Sequence, residues 1–165
     1  MRPLKSSAIE WADIVFVTGM LVQKESVHEV VRRCKQLGKR VVLGGPYVTT
    51  TIEDLPAVDH IFLGEAETTL PQFVEDLERG AAKRTYQAAE RPPLATTPVA
   101  DFFLADMKRY SAMSVQYSRG CPFNCEFCDI IEIYGRVPRT KSNQQMLSEL
   151  RRAFPPRMAR HCFHR

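Results

Sequence analysis

Residues 13–18 read Asp-Ile-Val-Phe-Val-Thr, a short apolar run typical of a strand that is buried on both faces of a sheet. Two similar runs follow, Val-Val-Leu at residues 41–43 and His-Ile-Phe-Leu at residues 60–63, and each is closed by a glycine turn. Apolar residues recur at helical spacing between the first two runs and again after the third. Because strands and helices alternate, the sequence predicts an α/β fold with a parallel, Rossmann-like sheet.

Two amphipathic helices are predicted around these strands. Ser26 and Glu29 have the spacing of a capping box, and the helix that they open ends at Gly38. A second helix ends at Gly80. The apolar face of the first helix is Val27, Val30, Val31, Cys34 and Leu37, and that of the second is Leu70, Phe73, Val74 and Leu77.

The length of 165 residues allows one ordinary domain or parts of two, and it is too short for a complete α/β barrel of about 250 residues. With 44% hydrophobic and 25% charged residues, the composition is that of a folded chain. No apolar run reaches the roughly 18 residues that cross a bilayer, and no signal-peptide pattern follows Met1. We therefore expect a cytoplasmic chain without a transmembrane segment.

The second part of the chain has a different character. Residues 81–112 lose the periodicity and carry several prolines, which is typical of a linker after a first unit at residues 1–80. A second unit is predicted at residues 113–154, with a strand at residues 114–117, a long loop and a helix that opens with the capping box of Ser142 and Gln145. Residues 155–165 read as an irregular basic tail.

Charge is spread unevenly along the chain. Residues 1–106 hold 12 basic and 15 acidic residues, whereas residues 107–165 hold 11 basic and 4 acidic residues. A basic segment either binds an anionic partner or is a solvated surface. Since no nucleic-acid motif accompanies the charge, the solvated surface is favoured and no nucleic-acid partner is expected.

Three of the five cysteines, Cys121, Cys125 and Cys128, have the spacing C-x3-C-x2-C. Soft thiolates of this kind select iron–sulfur clusters, zinc or copper. Three cysteines on a cluster of four irons would leave one iron open to a substrate or cofactor. Structural zinc is the alternative, with His161 or Cys162 as a fourth ligand, while a disulfide framework does not suit a cytoplasmic chain.

This loop resembles that of radical S-adenosylmethionine enzymes, in which C-x3-C-x-aromatic-C follows the first strand of a (β/α) barrel. The resemblance implies that Cys121, Cys125 and Cys128 bind a [4Fe–4S] cluster, whose open iron would chelate S-adenosylmethionine. Phe127 occupies the aromatic position and would pack near the adenine. The reduced cluster would split the sulfonium to give methionine and a 5′-deoxyadenosyl radical, and an electron donor would be required.

Residues 134–142, Tyr-Gly-Arg-Val-Pro-Arg-Thr-Lys-Ser, resemble the G-R-x-P-R-x-K-S stretch of B12-dependent radical S-adenosylmethionine proteins, a group that includes the hopanoid methylases. Arg136, Arg139 and Lys141 could contact an anion or shield the charge of the cluster. The alternative is a basic, solvent-facing loop that leads into a helix.

The first unit resembles the cobalamin-binding domain of the same group. Residues 18–20, Thr-Gly-Met, are similar to its S-x-L motif, Gly44-Gly45 to its G-G motif, and residues 64–67 to its G-E-x-E segment. The resemblance implies that Thr18, Met20, Gly44 and Gly45 line the pocket for the cobalamin nucleotide tail. The D-x-H-x-x-G segment of many cobalamin domains has no match, and His28 and His60 read as surface or structural histidines.

By this resemblance the chain is a radical S-adenosylmethionine protein that binds cobalamin and transfers a methyl group to an unactivated carbon of a small-molecule or lipid-like substrate. Residues 1–12 are too few for the first two strands of a cobalamin domain, and no second barrel strand follows residue 154, so a fragment truncated at both ends is expected. The alternative is a catalytically incompetent fragment that retains iron–sulfur or partial cobalamin binding only. A small basic zinc or nucleic-acid module is a distant third.

Overall fold

The computed structural model describes residues 5–52, 54–106 and 112–153. The predicted basic tail at residues 155–165 lies outside the described residues. The same holds for His161 and Cys162, the alternative zinc ligands, and for residue 154 at the end of the predicted second unit.

Six helices and six strands make up the described residues, with short 3₁₀ turns between some of them. In chain order they are α1 (Ser6–Trp11), β1 (Ile14–Thr18), α2 (Lys24–Gln36), β2 (Arg40–Gly44), α3 (Pro46–Thr50), β3 (His60–Leu63), α4 (Thr69–Glu78), β4 (Thr85–Gln87), β5 (Ser118–Arg119), α5 (Ile130–Tyr134), β6 (Arg139–Thr140) and α6 (Asn143–Ala153). No helix in this part of the chain is long and apolar enough to cross a membrane.

The first four strands form a parallel sheet in the order β1-β2-β3-β4, which confirms the predicted α/β class and the three predicted strands. The fourth strand was missed, since it lies in the range read as a linker. Only three residues long, β4 carries a single apolar side chain, Tyr86, so it leaves no periodic signal. Tyr86 is buried, and its hydroxyl donates to Asp76 Oδ2 at 2.9 Å and accepts from the backbone N–H of Lys83 at 2.9 Å.

Alternate residues of the strands fill two cores, one on each face of the sheet. On one face, Val41 and Leu43 of β2 pack with α2 and α3. On the other face, Val42 and Phe62 pack with Phe73 of α4 and with Tyr86. The helices therefore cover both faces, and the carboxyl ends of β1, β2 and β3 open onto one common edge.

The two predicted capping boxes had different outcomes. The box at Ser142 and Gln145 is formed: each backbone N–H donates to the other's side chain, at 2.9 Å and 3.2 Å. The box at Ser26 and Glu29 is wrong, because α2 begins at Lys24 and Ser26 lies within its first turn. A 3₁₀ turn precedes α2 and removes the free helix end that Ser26 would have capped.

The first strand of the second unit lies later in the chain than predicted. Residues 114–117 are not a strand; β5 is Ser118–Arg119 and pairs antiparallel with β6. The polar pair Lys141 and Glu149 fastens α6 to this ribbon, with Nζ and Oε1 2.5 Å apart and both side chains buried. A two-residue antiparallel ribbon carries too little apolar pattern to be found from the sequence.

Phe73 is the centre of the second core, and its removal tests that core. Its ring is 1% exposed and lies 5.0–6.1 Å from the rings of Phe16, His60, Phe62 and Tyr86. We expect Phe73→Ala to lower the free energy of unfolding by about 3–5 kcal/mol. Val74→Ala, at a side chain 45% exposed on the same helix, should cost less than about 1 kcal/mol. Urea denaturation measures both, and equal losses would contradict the assignment of this core.

Candidate functional site

The glycine motifs meet at the carboxyl edge of the sheet. Thr18 ends β1 directly opposite Gly44 at the end of β2. Gly45 follows with φ +93°, and a Cβ there would lie 2.1 Å from Thr18 Oγ1. Only glycine therefore allows the two chain turns to approach this closely. The backbone N–H of Tyr47 donates to Gly19 O at 3.0 Å and fixes the contact.

Three of the four residues expected to line the cobalamin pocket are thus in one place. The fourth, Met20, lies two residues after Thr18; its side chain is exposed, and its backbone N–H donates to the side chain of Gln23 at 3.0 Å. The two histidines are used structurally: His28 contacts the Tyr47 hydroxyl at 2.8 Å, and His60 Nδ1 contacts Lys83 O at 2.6 Å.

A cavity of about 470 Å³ lies beside this edge. Gly45, Pro46, Gly64 and Leu70 line it from the first unit, and Ile133 and Tyr134 from the second. Its size falls in the range of small-molecule and cofactor sites, and such sites are mostly apolar with a few polar groups. Glu65, Glu67 and Arg119 supply charged groups at its wall. No sequence pattern marks Ile133 and Tyr134 as lining residues, since their contribution depends on how the two units pack.

Glu65 is the centre of a buried ion cluster beside the cavity. Arg119 Nη1 donates to Glu65 Oε2 at 2.6 Å and also lies 2.6 Å from Glu67 Oε1. Arg139 donates to the same carboxylate from both terminal nitrogens, one of them at 3.1 Å from Oε2. The Glu65 side chain is only 4% exposed, and those of its three partners are 12–17% exposed, so two positive and two negative charges balance in a largely buried cluster.

Burial alone would raise the pKa of Glu65, but the hydrogen bonds from Arg139 and Arg119 outweigh it and hold the pKa below its usual range. For Arg119, burial favours the neutral form, whereas the hydrogen bonds that it donates to Glu65 and Glu67 raise its pKa. Glu65 and Arg119 therefore both stay charged near neutral pH. Because the pKa of Glu65 is lowered by folding, its contribution to stability is present at neutral pH and is lost as the pH falls below about 4.

The three basic residues of the segment after the cysteines lie in different environments. Arg139 is held by Glu65 and by the carbonyls of Pro92 and Tyr134. Lys141 is buried against Glu149. Arg136 is exposed, and its Nη2 donates to Asn124 Oδ1 in the cysteine loop at 2.9 Å. Within the described residues, Arg139 and Lys141 are neutralised by carboxylates, so anion contact stays a prediction best suited to Arg136.

The cysteine loop is anchored at its base. Gly120 has φ +94°, and a Cβ there would lie 2.5 Å from Val137 O, so the chain passes closely under the segment after α5. The backbone N–H of Cys121 donates to Gly135 O at 3.0 Å. Farther along, Phe127 is 93% exposed, and its predicted contact with adenine stays a prediction.

The three thiols of the loop are free, with Cys125 exposed and Cys121 and Cys128 half-buried. Across residues 5–52, 54–106 and 112–153, no three His, Cys, Asp or Glu side chains lie close enough together to hold a metal ion. The donor set nevertheless suits a soft metal centre, because three thiols outside any disulfide lie within eight residues.

Comparison with known proteins identifies the first unit. Residues 4–74 match the B12 binding domain. An uncharacterized methyltransferase of Synechocystis sp. is 44% identical over 152 residues, which is 91% of this chain and 28% of the relative. The hopanoid C-2 methylase of Rhodopseudomonas palustris is 34% identical over 156 residues, or 92% of this chain and 30% of the relative.

A third relative, the bacteriochlorophyllide d C-12(1)-methyltransferase of Chlorobaculum tepidum, is 28% identical over 145 residues, or 84% of this chain and 32% of the relative. The chain thus spans about three tenths of the length of these relatives. The matched domain contains β1, β2 and β3 with their glycine turns. Residues 4–74 thus match a B12-binding domain, and the chain as a whole is similar to proteins named as methyltransferases and as a hopanoid methylase.

Proposed function

We propose that the chain binds cobalamin at the carboxyl edge of its sheet and a [4Fe–4S] cluster with S-adenosylmethionine at Cys121, Cys125 and Cys128, for radical methyl transfer to an unactivated carbon. One observation carries the proposal. Arg119, two residues before Cys121, is bonded to Glu65 in the turn that follows β3 of the B12-binding domain. The two cofactors would therefore be held by adjoining segments.

When bound, the cluster would supply an electron to S-adenosylmethionine, and cobalamin would carry the methyl group. The residues of the chain itself would hold the two cofactors and cover them. Cys121, Cys125 and Cys128 provide thiolates, and the exposed ring of Phe127 is free to stack on a planar group. Gly45 keeps the sheet edge open to a close approach, because no Cβ stands between it and Thr18.

The substrate is proposed to be a small-molecule or lipid-like compound. The cavity beside the sheet edge has mostly apolar neighbours, among them Pro46, Leu70 and Ile133, which suit an apolar molecule. Two relatives are named as methylating enzymes, one for a hopanoid and the other for a bacteriochlorophyllide. An electron donor for the cluster is part of the proposal.

The cluster is tested by anaerobic reconstitution with iron and sulfide. We expect about four irons per chain and the broad visible absorption of a [4Fe–4S] cluster. Replacing Cys121, Cys125 or Cys128 with Ser should remove most of the iron, because each thiolate is a ligand. Cys34→Ala is the control, since Cys34 is a residue of α2 that is fully buried in the first core, and its loss should leave the iron content unchanged.

Two other outcomes have a clear meaning in the same experiment. Zinc bound at one ion per chain, with no cluster, would contradict the proposal. Cluster binding without formation of 5′-deoxyadenosine would support the alternative of binding without turnover.

The cobalamin site is tested with Gly45→Ala. The new methyl group would collide with Thr18 Oγ1 in a backbone conformation that favours glycine, so the two turns must separate. We expect the affinity for hydroxocobalamin, measured by absorption titration, to fall by at least about tenfold. Gly38→Ala is the matched control, because Gly38 also has a positive φ of +67° but faces open space. Equal affinities of the two variants would contradict the assigned site.

A further inference from the structure

We infer that Glu65 is a positioning residue, which holds the cysteine loop in a fixed place against the carboxyl edge of the B12-binding domain. The functional importance of this role rests on the proposed function, whereas the evidence for it is the set of contacts that Glu65 makes. Glu65 itself touches neither the thiols nor the glycine turn of Thr18 and Gly45 by any described hydrogen bond. Its influence would pass through Arg119 and Arg139.

The contacts of Glu65 bring together distant parts of the chain. Arg119 reaches the carboxylate across 54 residues of sequence, and Arg139 reaches it across 74 residues. Arg139 also donates to Pro92 O at 2.5 Å and to Tyr134 O at 3.2 Å. The Glu65 carboxylate thus holds both strands of the small ribbon directly. Through Arg139 it is also connected to Pro92 and to Tyr134 at the end of α5.

The cysteine loop is enclosed by these two attachments. Arg119 in β5 lies just before the loop. Arg139 in β6 lies two residues after Val137, whose carbonyl contacts the base of the loop. Gly120, the single residue between Arg119 and Cys121, packs closely against Val137 O. The backbone between the ion cluster and the first thiol therefore has little freedom to move. The Arg119 guanidinium also lies 6.0 Å from the centroid of the Tyr134 ring, at the cavity wall.

The energetics of buried ions explain why such a cluster would fix the position of β5 and β6 more than it would add stability. A buried ion pair gains little over a well-packed apolar pair, because desolvation offsets the attraction. Its geometry, however, is narrow: two guanidinium groups must meet one carboxylate in fixed directions. A carboxylate in this position therefore specifies where β5 and β6 lie, which an apolar contact would do less strictly.

Hydrogen exchange of the chain without cofactors tests the inference. Glu65→Gln keeps the size of the side chain and removes its charge. We expect exchange of backbone amides in residues 118–128 to become at least about tenfold faster, while exchange in α2 stays as in the parent. Glu149→Gln is the matched control, because Glu149 is an equally buried carboxylate paired with Lys141 on the same unit. It should loosen α6 and leave residues 118–128 unchanged.

Unchanged exchange in residues 118–128, or an equal acceleration in α2, would overturn the inference, since the second result means a global loss of stability. If Glu65→Gln does not fold, Arg139→Lys takes its place. It keeps the positive charge but cannot bridge Glu65 and the carbonyls of Pro92 and Tyr134 together. The same acceleration in residues 118–128 is then expected, and its absence would overturn the inference.

A spectroscopic measurement separates this inference from the proposed function. In reconstituted and reduced protein, we expect Glu65→Gln to bind as much iron as the parent but to give a shifted electron paramagnetic resonance signal. A signal identical to that of the parent would overturn the positioning role. If the parent itself takes up no iron, the proposed function fails, and the exchange rates alone decide the role of Glu65.

Discussion

A buried carboxylate stays ionised only when positive charge lies beside it, and in this chain that requirement falls on Glu65, in the turn after the third strand. Two arginines from the second unit supply the charge, and they approach from strands on either side of the cysteine loop. The position of the loop beside the sheet therefore follows from charge balance. An apolar contact of the same size would permit sliding, whereas the paired guanidinium groups fix direction as well as distance.

The sheet provides the fixed surface on which this balance is built. Its two cores place helices on both faces, so β2 is buried on both sides and its carboxyl end is held firmly. The turns after β1 and β2 then pack so closely that Gly45 has no room for a side chain. This rigidity matters for a binding edge, since a cofactor site gains affinity when its backbone is already in place.

Local patterns in the sequence were enough for the three long strands, the glycine turns and the capping box of Ser142, because each depends on residues close in sequence. The strand β4 was missed since a single buried tyrosine has no periodicity. The roles of Arg139 and Lys141 were also out of reach. Their partners, Glu65 and Glu149, are chosen by the packing of distant segments, and a basic stretch looks the same whether its charges face solvent or buried carboxylates.

The cysteine loop combines a fixed base with a free outer part, and the two properties suit different tasks. At the base, the backbone of Cys121 is bonded to Gly135 and Gly120 is enclosed by Val137, so this end has one position. Farther along, Cys125 and Phe127 are exposed and make few contacts that a ligand would have to break. A metal centre needs its thiolates to converge, which costs less when only part of the loop moves. Anchoring one end while leaving the rest open would therefore favour assembly of the proposed cluster at a defined distance from the carboxyl edge of the sheet.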